Sequence, residues 1–365
     1  MQIALLLTDL FDAVGGIQTF NRCFVKALDD LSAKHGIDLK IVVLNDRGAS
    51  NLTSKYISQR NATYIYCSKN RFKFFIQMLK LSTKLDKVIL GHVNFAPMAI
   101  FVNLLNPKIK KYLIVYGIEA WGRLAWLKLQ GIKNINKILS ISTYTKELMK
   151  KYNNLSNDKF IITPCTLDPF YSGKISTNEK IVLPKGKIIL SVTRLNSTQQ
   201  YKNIDLVIKS IPDVLKIIPD AYYVIVGDGS DRFRLELLAK ELGVRDNVMF
   251  AGYVSDDLLP LYYESCDVFV LPSEKEGFGI VFLEAMYFLK PCIGVNRGGI
   301  PEVIEDGKSG VLVEPNNIQM LSEAIIKILA DKPLSVSLGA VGKKRLEEEF
   351  SFERFKERLE EVIFS

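Results

Sequence analysis

The chain has 365 residues, of which 48% are hydrophobic and 24% charged, as in an ordinary water-soluble globular protein. This length exceeds that of one typical domain core and predicts two domains. No apolar run reaches the length of a membrane span, and Met1-Gln-Ile-Ala leads into a strand without a basic leader. Five scattered cysteines without C-x-x-C spacing argue against disulfides and structural zinc, and we expect a reducing cytoplasm.

The formal net charge of +8 is distributed unevenly along the chain. Residues 1–175 contain 25 lysines and arginines against 11 acidic residues, a difference of +14, whereas residues 176–365 contain 23 against 29, a difference of −6. Residues 51–150 alone hold 17 basic and 3 acidic residues. This split predicts an anionic partner for the first half only.

Short β-rich runs alternate with helical segments in the first half. The runs cover residues 3–7, 39–44, 88–90, 111–115 and 137–141, and the clearest helical segments cover residues 17–31 and 143–152. Parallel strands joined by helical crossovers produce this alternation, with helices on both faces of the sheet. The first half therefore predicts a doubly wound α/β domain.

A basic and aromatic segment runs from Lys69 to Lys84 and predicts a helix. Its basic residues are interleaved with large apolar residues, which are Phe72, Phe74, Phe75, Ile76, Met78, Leu79 and Leu81. Two interpretations remain open. A basic amphipathic helix binds an anionic membrane surface, whereas a helix within a domain buries its apolar face and keeps its lysines outward. Both hold if the aromatic residues lie at an exposed edge.

The pattern is interrupted between Pro164 and Pro184, where Ser172-Gly173 and Thr177-Asn178 break the periodicity. The alternation then restarts, with β-rich runs at residues 187–192, 222–226, 248–250, 268–271 and 292–295. We therefore expect a first domain over residues 1–168 and a second over residues 169–349. Residues 350–365 have the pattern of a strongly amphipathic helix.

The most informative motif follows the run at residues 268–271. Glu276-Gly-Phe-Gly-Ile-Val-Phe-Leu-Glu284 places two carboxylates around a glycine turn and the start of an apolar helix. Gly277 and Gly279 let the backbone approach a ligand, and the free N–H groups at the helix start favour an anion. This suits a ligand with hydroxyls at both ends and phosphate between them, such as a nucleotide diphosphate sugar. Glu284 either faces solvent or needs a polar partner among its apolar neighbours.

This segment resembles the Glu-x7-Glu signature of retaining glycosyltransferases of the large family 4, which have the GT-B fold. The resemblance continues in the same order along the second half, through Ser191-Val-Thr-Arg194-Leu, Lys202-Asn-Ile, Val226-Gly-Asp-Gly229, Phe250-Ala-Gly-Tyr253, Gly298-Gly-Ile-Pro-Glu302 and Gly307-Lys-Ser-Gly-Val-Leu-Val-Glu-Pro315. It implies two doubly wound, Rossmann-like domains facing each other across a cleft. It also implies that the helix at residues 350–365 crosses back to the first domain.

The resemblance implies roles for individual residues on the donor side. Arg194 and Lys202 would hold the donor diphosphate, Glu276 the hydroxyls of the transferred sugar, and Glu284 those of the ribose. The other donor-side residues are Gly15, Gly16, Tyr253, Val254, Gly277, Phe278, Gly279, Ile280 and Val281. Arg194 follows a β-rich run, and Lys202 is predicted to open the next helix. Outside the context of the resemblance, both would be interpreted as solvated surface residues, and Gly15-Gly16 as an ordinary turn.

His92, after the run at residues 88–90, completes the catalytic set of His92, Arg194, Lys202 and Glu276, because the resemblance implies that it contacts the sugar and the transition state. Glu119 and Trp121 are the candidates on the acceptor side, and Tyr116 stands where many relatives carry histidine. No Asp-x-Asp occurs, so we expect neither a metal nor another cofactor beyond the donor itself.

The resemblance implies retaining transfer of a hexose from a UDP- or GDP-sugar to a hydroxyl of a glycan or lipid-linked acceptor, in cell-surface polysaccharide or glycolipid synthesis. Expected partners are the donor, the acceptor and an anionic membrane, but no nucleic acid. The expected location is cytoplasmic, peripheral on the inner face of the membrane. Two alternatives remain: a sugar-nucleotide epimerase or phosphorylase of the same fold, and a non-catalytic module that binds membrane or glycan. Arg194, Lys202, Glu276 and Glu284 together favour the enzyme, since binding alone does not require a full donor site.

Overall fold

The computed structural model describes residues 1–171 and 181–364, and contacts between residues divide the chain into two compact units. Unit 1 contains residues 1–170 and 350–365, and unit 2 contains residues 171–349. The sequence predicts that the first domain ends at residue 168, and the first segment of unit 1 ends at residue 170. Ser172-Gly173 and Thr177-Asn178, which were expected to break the pattern, lie outside the described residues.

Unit 1 is built on a sheet of seven parallel strands in the order β3-β2-β1-β4-β5-β6-β7. The strands are β1 (Gln2–Leu7), β2 (Asp38–Val43), β3 (Ala62–Tyr66), β4 (Lys87–Leu90), β5 (Lys110–Val115), β6 (Lys137–Ser140) and β7 (Phe160–Ile162). The helices between them are α1 (Gly16–His35), α2 (Thr53–Tyr56), α3 (Arg71–Ser82), α4 (Met98–Leu105), α5 (Trp126–Lys133) and α6 (Thr143–Asn153). The central strands β1 and β4 are buried almost throughout, as strands of a parallel sheet covered by helices are.

Unit 2 repeats this architecture with six parallel strands in the order β10-β9-β8-β11-β12-β13. The strands are β8 (Lys187–Val192), β9 (Ala221–Val226), β10 (Val248–Gly252), β11 (Val268–Leu271), β12 (Cys292–Val295) and β13 (Val311–Val313). The helices are α7 (Ile204–Ile217), α8 (Arg232–Glu241), α9 (Leu259–Ser265), α10 (Ile280–Tyr287), α11 (Ile300–Val303), α12 (Ile318–Ala330) and α13 (Lys332–Glu349). All four residues of β11 are buried, in agreement with the apolar run at residues 268–271.

A further helix, α14 (Phe352–Phe364), belongs to unit 1 although it follows unit 2 in the chain. Its Phe355 ring meets the rings of Phe20 and Phe24 on α1 edge-on, with centroids 5.6 and 6.2 Å apart. The buried ammonium of Lys87, at the start of β4, donates to the carbonyl of Ile363 in the last turn. This bond satisfies a carbonyl at the helix end that has no partner within the helix.

The topology marks one place in each sheet where ligands bind. In unit 1 the strand order reverses between β1 and β4, and in unit 2 between β8 and β11. Loops that leave neighbouring strands in opposite directions open a crevice at the carboxyl ends of those strands. The loops after β1, β4, β8 and β11 are therefore the candidate functional segments.

The helix predicted over residues 69–84 is α3, which is shorter than predicted because Lys69 has a positive φ of 65° and Asn70 caps the helix start. Phe74 and Met78 are buried in the core of unit 1, whereas Phe72 is 74% exposed. The aromatic residues therefore do not all lie at an exposed edge: Phe74 is a core residue and Phe72 points outward. None of the helices in the described part of the chain is long and apolar enough to cross a membrane.

Candidate functional site

The loop after β8 carries Arg194 and is held by the glycine turn after β9. A Cβ atom at Gly227 would lie 1.8 Å from the carbonyl oxygen of Thr193, and one at Gly229 would lie 2.2 Å from that of Leu195. Gly227 also has a φ of +130°, which favours glycine. Only glycine therefore allows this turn to pack against the loop that presents Arg194.

Arg194 is exposed, and its side chain makes no hydrogen bond or ion pair with any described residue. Neighbouring cations are already neutralised: Arg234 pairs with Asp231 at 2.6 Å, and Arg297 pairs with Glu274 at 2.8 Å. The Arg194 guanidinium is thus available to an anionic ligand, for which its forked donors are suited.

Lys202 and Glu276 are joined in an ion pair. The Lys202 Nζ lies 2.7 Å from Oε1 and 2.9 Å from Oε2 of Glu276, and the two side chains are 18% and 16% exposed. The prediction that Lys202 opens a helix is wrong. It ends a 3-10 segment (Ser197–Lys202), and α7 begins at Ile204, because Asn203 adopts a left-handed conformation with φ 57° between the two.

Asn203 ties the loop after β8 to the loop after β11. Its side-chain amide donates to the carbonyl of Pro272 at 3.0 Å and to Glu274 Oε1 at 3.2 Å, while the Glu274 N–H donates to the carbonyl of Tyr201 at 2.9 Å. The Oγ atom of Ser273, between them, is buried without a hydrogen-bond partner among the described residues. These bonds set the position of both partners of the Lys202–Glu276 pair.

The glycine turn before α10 interlocks with the loop after β12. The Gly299 N–H donates to the carbonyl of Glu276 at 2.8 Å. A Cβ atom at Gly298 would lie 2.6 Å from that oxygen, and one at Gly299 would lie 2.2 Å from the carbonyl oxygen of Gly277. Gly279 immediately precedes α10 with a φ of +102°. The turn is thus rigidly held. In the first turn of α10 the Phe282 N–H donates to the carbonyl of Gly279 at 3.0 Å, whereas the N–H groups of Ile280 and Val281 have no intrahelical acceptor.

Glu284 lies on α10 and accepts a hydrogen bond of 2.6 Å from the Tyr263 hydroxyl. The prediction that this carboxylate needs a polar partner is confirmed. Burial raises the pKa of the Glu284 carboxyl to about 7; the Tyr263 hydrogen bond lowers it and the nearby Asp256 charge raises it further. The hydroxyl of Tyr171 is also buried here without a hydrogen-bond partner among the described residues, and its pKa is raised by burial and then by the Glu284 charge. Glu284 is therefore a carboxyl group that changes charge near neutral pH.

The remaining predicted donor-side residues of unit 2 differ in exposure. Phe278 is 2% exposed, so its backbone rather than its ring is presented, whereas Ile280 and Val281 are partly buried in the first turn of α10. Tyr253, just after β10, is 72% exposed, and Val254 is partly buried. The sites after β8 and β11 thus combine Arg194, the Lys202–Glu276 pair and a helix start.

In unit 1, Gly15 and Gly16 lie where α1 starts after the loop that follows β1. Gly15 precedes the first residue of the helix, with φ 156°, and a Cβ atom at Gly16 would meet nothing within 4 Å. The buried carboxylate of Asp46 holds the preceding loop, because it accepts hydrogen bonds from the N–H groups of Leu10 and Phe11. The N-terminus of α1 is therefore open at the switch point of the first sheet.

His92 follows β4 at the same switch point. Its Nδ1 accepts a hydrogen bond of 3.0 Å from the Asn94 N–H, so Nε2 carries the proton of the neutral ring. Burial lowers the pKa of His92, with the Glu119 charge opposing this, and the ring is therefore neutral at pH 7. The buried Tyr116 hydroxyl lies 2.8 Å from the carbonyl of Gly91 and 2.6 Å from Oδ1 of Asn21 on α1. Tyr116 thus ties α1 to the residue before His92.

Glu119 and Trp121, the predicted acceptor-side residues, form hydrogen bonds with other residues of unit 1. Glu119 Oε1 accepts from the N–H groups of Tyr116 at 2.6 Å and Gly117 at 3.2 Å. The indole N–H of Trp121 donates to Thr145 Oγ1 at 3.1 Å. Both residues shape the loop after β5, and their contact with an acceptor stays a prediction.

Within residues 1–171 and 181–364, no group of three or more histidine, cysteine, aspartate or glutamate side chains is placed to hold a metal ion.

Residues 175–345 match the model of the family described as glycosyl transferases group 1. The match covers 171 of the 365 residues, somewhat less than half of the chain. The matched segment contains Arg194, Lys202, Glu276 and Glu284.

Curated relatives align with part of the chain. It is 31% identical over 169 residues to a GDP-mannose-dependent alpha-(1-6)-phosphatidylinositol monomannoside mannosyltransferase of Mycobacterium tuberculosis, covering 44% of each chain. It is 36% identical over 144 residues to N-acetyl-alpha-D-glucosaminyl L-malate synthase of Bacillus anthracis, covering 40% of this chain and 37% of the relative. The chain thus spans about half the length, or less, of these curated relatives.

A solved structure, Anabaena HepE in complex with UDP, matches all of this chain and all of its own with a TM-score of 0.79 at 15% identity. At this identity the likeness concerns the fold. It confirms the predicted fold class, the GT-B fold with two doubly wound, Rossmann-like units.

Proposed function

We propose that this protein is a retaining, metal-independent hexosyltransferase that uses a UDP- or GDP-sugar and an acceptor hydroxyl on a glycan or lipid-linked molecule. The observation that carries the proposal is the Lys202–Glu276 ion pair together with Arg194, which lines the same pocket as Lys202 and pairs with no described residue, and the start of α10 that follows Glu276. This places anion-binding groups and a carboxylate in one constellation, which suits a diphosphate joined to a sugar. The mannosyltransferase relative, which is GDP-mannose-dependent, is consistent with such a donor.

In the proposed reaction, Arg194 and Lys202 neutralise the diphosphate as the bond from the sugar C1 to the phosphate oxygen breaks. Charges aimed at a leaving group stabilise the transition state because negative charge grows there. The acceptor oxygen attacks C1 on the face that the diphosphate leaves, and the acceptor proton passes to a leaving phosphate oxygen. Glu276 holds sugar hydroxyls, and Glu284 holds the ribose. His92 remains the predicted sugar contact of unit 1.

The proposal is tested by incubation with a panel of UDP- and GDP-sugars, with and without inorganic phosphate. Slow release of nucleoside diphosphate from one donor is the expected result, and it names the donor. A new nucleotide sugar would identify an epimerase instead, and phosphate-dependent glycosyl transfer a phosphorylase. Binding of glycan without turnover of any donor would identify a non-catalytic module.

We expect the nucleoside diphosphate to bind without a divalent cation, because Arg194 and Lys202 supply the positive charge that a metal ion supplies elsewhere. Isothermal titration calorimetry with UDP and GDP, in EDTA and in magnesium, measures this. The two dissociation constants should agree. Binding seen only in magnesium would contradict the expectation and would require carboxylate ligands for the cation.

We expect nucleotide affinity to depend on pH through Glu284. Ribose hydroxyls donate hydrogen bonds to the charged carboxylate, so binding favours deprotonation of a group whose pKa in the free protein is raised to about 7. The dissociation constant of UDP or GDP should therefore rise about tenfold for each pH unit below 7, with proton release on binding. Glu284→Gln should weaken binding about ten- to a hundredfold at pH 8 and remove this dependence. Glu323→Gln, on the exposed face of α12, is the control; an unchanged pH profile in Glu284→Gln would contradict the assignment.

The same group affects stability in the opposite direction. The folded state favours the neutral carboxyl, since its pKa is raised from the ordinary 4.5 to about 7. Its contribution to the free energy of unfolding is therefore full below pH 4.5 and lost as the pH rises through 7. Bound nucleotide offsets this loss because it stabilises the charged form.

The proposed location is the cytoplasm, peripheral on the inner face of the membrane, in cell-surface polysaccharide or glycolipid synthesis. Support comes from the difference of +14 in residues 1–175 against −6 in residues 176–365. A basic first half suits attraction to an anionic surface, which salt weakens.

A further inference from the structure

Helices α3 and α4 of unit 1 pack side by side and leave large apolar side chains uncovered. The exposed side chains are Phe72 (74%), Phe101 (45%), Leu104 (76%) and Leu105 (50%). The inner faces of the same helices are buried in the core of unit 1, through Phe74, Met78, Ala99 and Val102. The exposed apolar residues are thus not needed to form the core of unit 1. Single exposed leucines are common on protein surfaces, whereas groups of large exposed apolar residues are uncommon.

The exposed residues are continuous across the two helices. The ring of Phe75 on α3 meets that of Phe101 on α4 edge-on, with centroids 5.2 Å apart. Phe72 lies one turn before Phe75, and Leu104 and Leu105 lie one turn after Phe101, where side chains three and four positions apart are neighbours. We call this set of Phe72, Phe101, Leu104 and Leu105 the α3–α4 face.

The segments that carry the α3–α4 face, and those next to them in the sequence, are strongly basic. Residues 69–133 contain 12 lysines and arginines and only 2 acidic residues. Both carboxylates already accept backbone hydrogen bonds, Asp86 from the N–H of Gln2 and Glu119 from that of Tyr116. Lys80 and Lys84 are exposed at the end of α3 and form no ion pair with any described residue. Two of the twelve basic residues, Lys87 and Lys111, are buried and donate to backbone carbonyls. Lys80 and Lys84, in contrast, carry positive charge that no described carboxylate neutralises.

We propose that the α3–α4 face is a docking surface for an anionic lipid bilayer, with its apolar side chains inserted among the acyl chains and its lysines at the phosphate groups. A combination of exposed large apolar residues and flexible lysines fits the boundary between headgroups and acyl chains. A protein partner fits less well, since lysine is depleted in protein interfaces. A nucleic acid fits less well too, because proteins bind its phosphate backbone through positive charge, and the exposed side chains of Leu104 and Leu105 would add nothing to that binding.

The docking surface lies in unit 1 and does not include Arg194, Lys202, Glu276 or Glu284. Its test needs no nucleotide sugar, so its failure would leave the proposed transferase reaction unaffected. Likewise, absence of donor turnover would not alter vesicle binding. The docking surface and the transferase reaction can therefore fail separately, whereas a failure of vesicle binding would also remove the proposed peripheral location.

The experiment is co-sedimentation of the full chain with phosphatidylcholine vesicles and with vesicles of equal parts phosphatidylcholine and phosphatidylglycerol. We expect binding to the anionic vesicles only, reduced but not abolished by high salt, because apolar insertion is not screened. The variant Phe72→Ser/Leu104→Ser should bind at least about tenfold more weakly at low salt and lose all binding at high salt. Lys80→Glu/Lys84→Glu should weaken binding at low salt.

Phe233→Ser provides the matched control, because Phe233 is 78% exposed on α8 of unit 2 and should not affect vesicle binding. All of these side chains are exposed, and circular dichroism checks that each variant is folded. Three results would overturn the proposal: no binding to anionic vesicles at low salt, equal binding by Phe72→Ser/Leu104→Ser and the unchanged protein, or an equal loss in Phe233→Ser.

Discussion

We expect Glu276→Gln to lower turnover about a hundred- to a thousandfold while nucleoside diphosphate affinity is kept or increased. The loss follows from the proposed contact of Glu276 with the transferred sugar, since an interaction strengthened in the transition state affects kcat. The gain follows from the structure: Lys202 Nζ lies 2.7 and 2.9 Å from the two Glu276 oxygens. In the glutamine variant Lys202 has no carboxylate partner, so the diphosphate no longer competes with residue 276 for the Lys202 ammonium.

Two measurements check this expectation, donor hydrolysis rate and calorimetric titration with UDP or GDP. Glu353→Gln is the control, because Glu353 also pairs with a cation, Lys356 at 2.7 Å, but lies on α14 of unit 1. Its turnover and affinity should be unchanged. A parallel fall of turnover and diphosphate affinity in Glu276→Gln would show that Glu276 acts on the nucleotide rather than on the sugar.

We expect Gly227→Ala to destabilise unit 2 by about 3 kcal/mol or more. An alanine Cβ would lie 1.8 Å from the Thr193 carbonyl oxygen, so backbone must move, and φ is +130° at this position. The movement would displace the loop that carries Arg194, and nucleotide binding should be lost together with stability. Gly243→Ala separates the two causes: its φ is +69°, but nothing lies within 4 Å of the new Cβ. It should be destabilised by only about 1–2 kcal/mol.

Urea unfolding, monitored by far-ultraviolet circular dichroism and by tryptophan fluorescence, measures the difference in stability between Gly227→Ala and Gly243→Ala. Both tryptophans, Trp121 and Trp126, lie in unit 1, so fluorescence reports unit 1 and circular dichroism reports both units. The dichroism transition should shift to lower urea in Gly227→Ala with little change in the fluorescence midpoint. Equal shifts for Gly227→Ala and Gly243→Ala would contradict the steric argument.

Central strands were predictable from the sequence, whereas of the four edge strands in the described sheets only β10 was predicted, as the run at residues 248–250. The runs at residues 187–192, 268–271 and 292–295 coincide with β8, β11 and β12, because a strand buried on both faces is a continuous apolar run. The strands β3, β7 and β13 were missed. Each lies at the edge of its sheet, and β3 is only half-buried, so exposed positions interrupt its apolar pattern.

For the candidate site, the sequence names candidate residues but does not predict the contacts between them. The Glu276 to Glu284 motif is local, and its glycines and helix start can be read from neighbouring letters. The bond between Lys202 and Glu276 joins residues 74 positions apart, and Tyr263 lies 21 positions before Glu284. Such pairs depend on how crossovers place strands. The left-handed Asn203 was equally hidden, because an asparagine before a helix also fits an ordinary cap.

The return of α14 to unit 1 has a consequence for synthesis of the chain. The ribosome makes the 179 residues of unit 2, residues 171–349, before it makes residues 350–365. At about 5–20 residues per second, this takes roughly 10–35 s. Phe20 and Phe24 are 1% and 0% exposed in the complete fold, but during that interval they lack their contact with Phe355. The nascent first unit therefore presents an aromatic stripe to chaperones until translation has passed through unit 2, and a ribosome stalled within unit 2 leaves it uncovered.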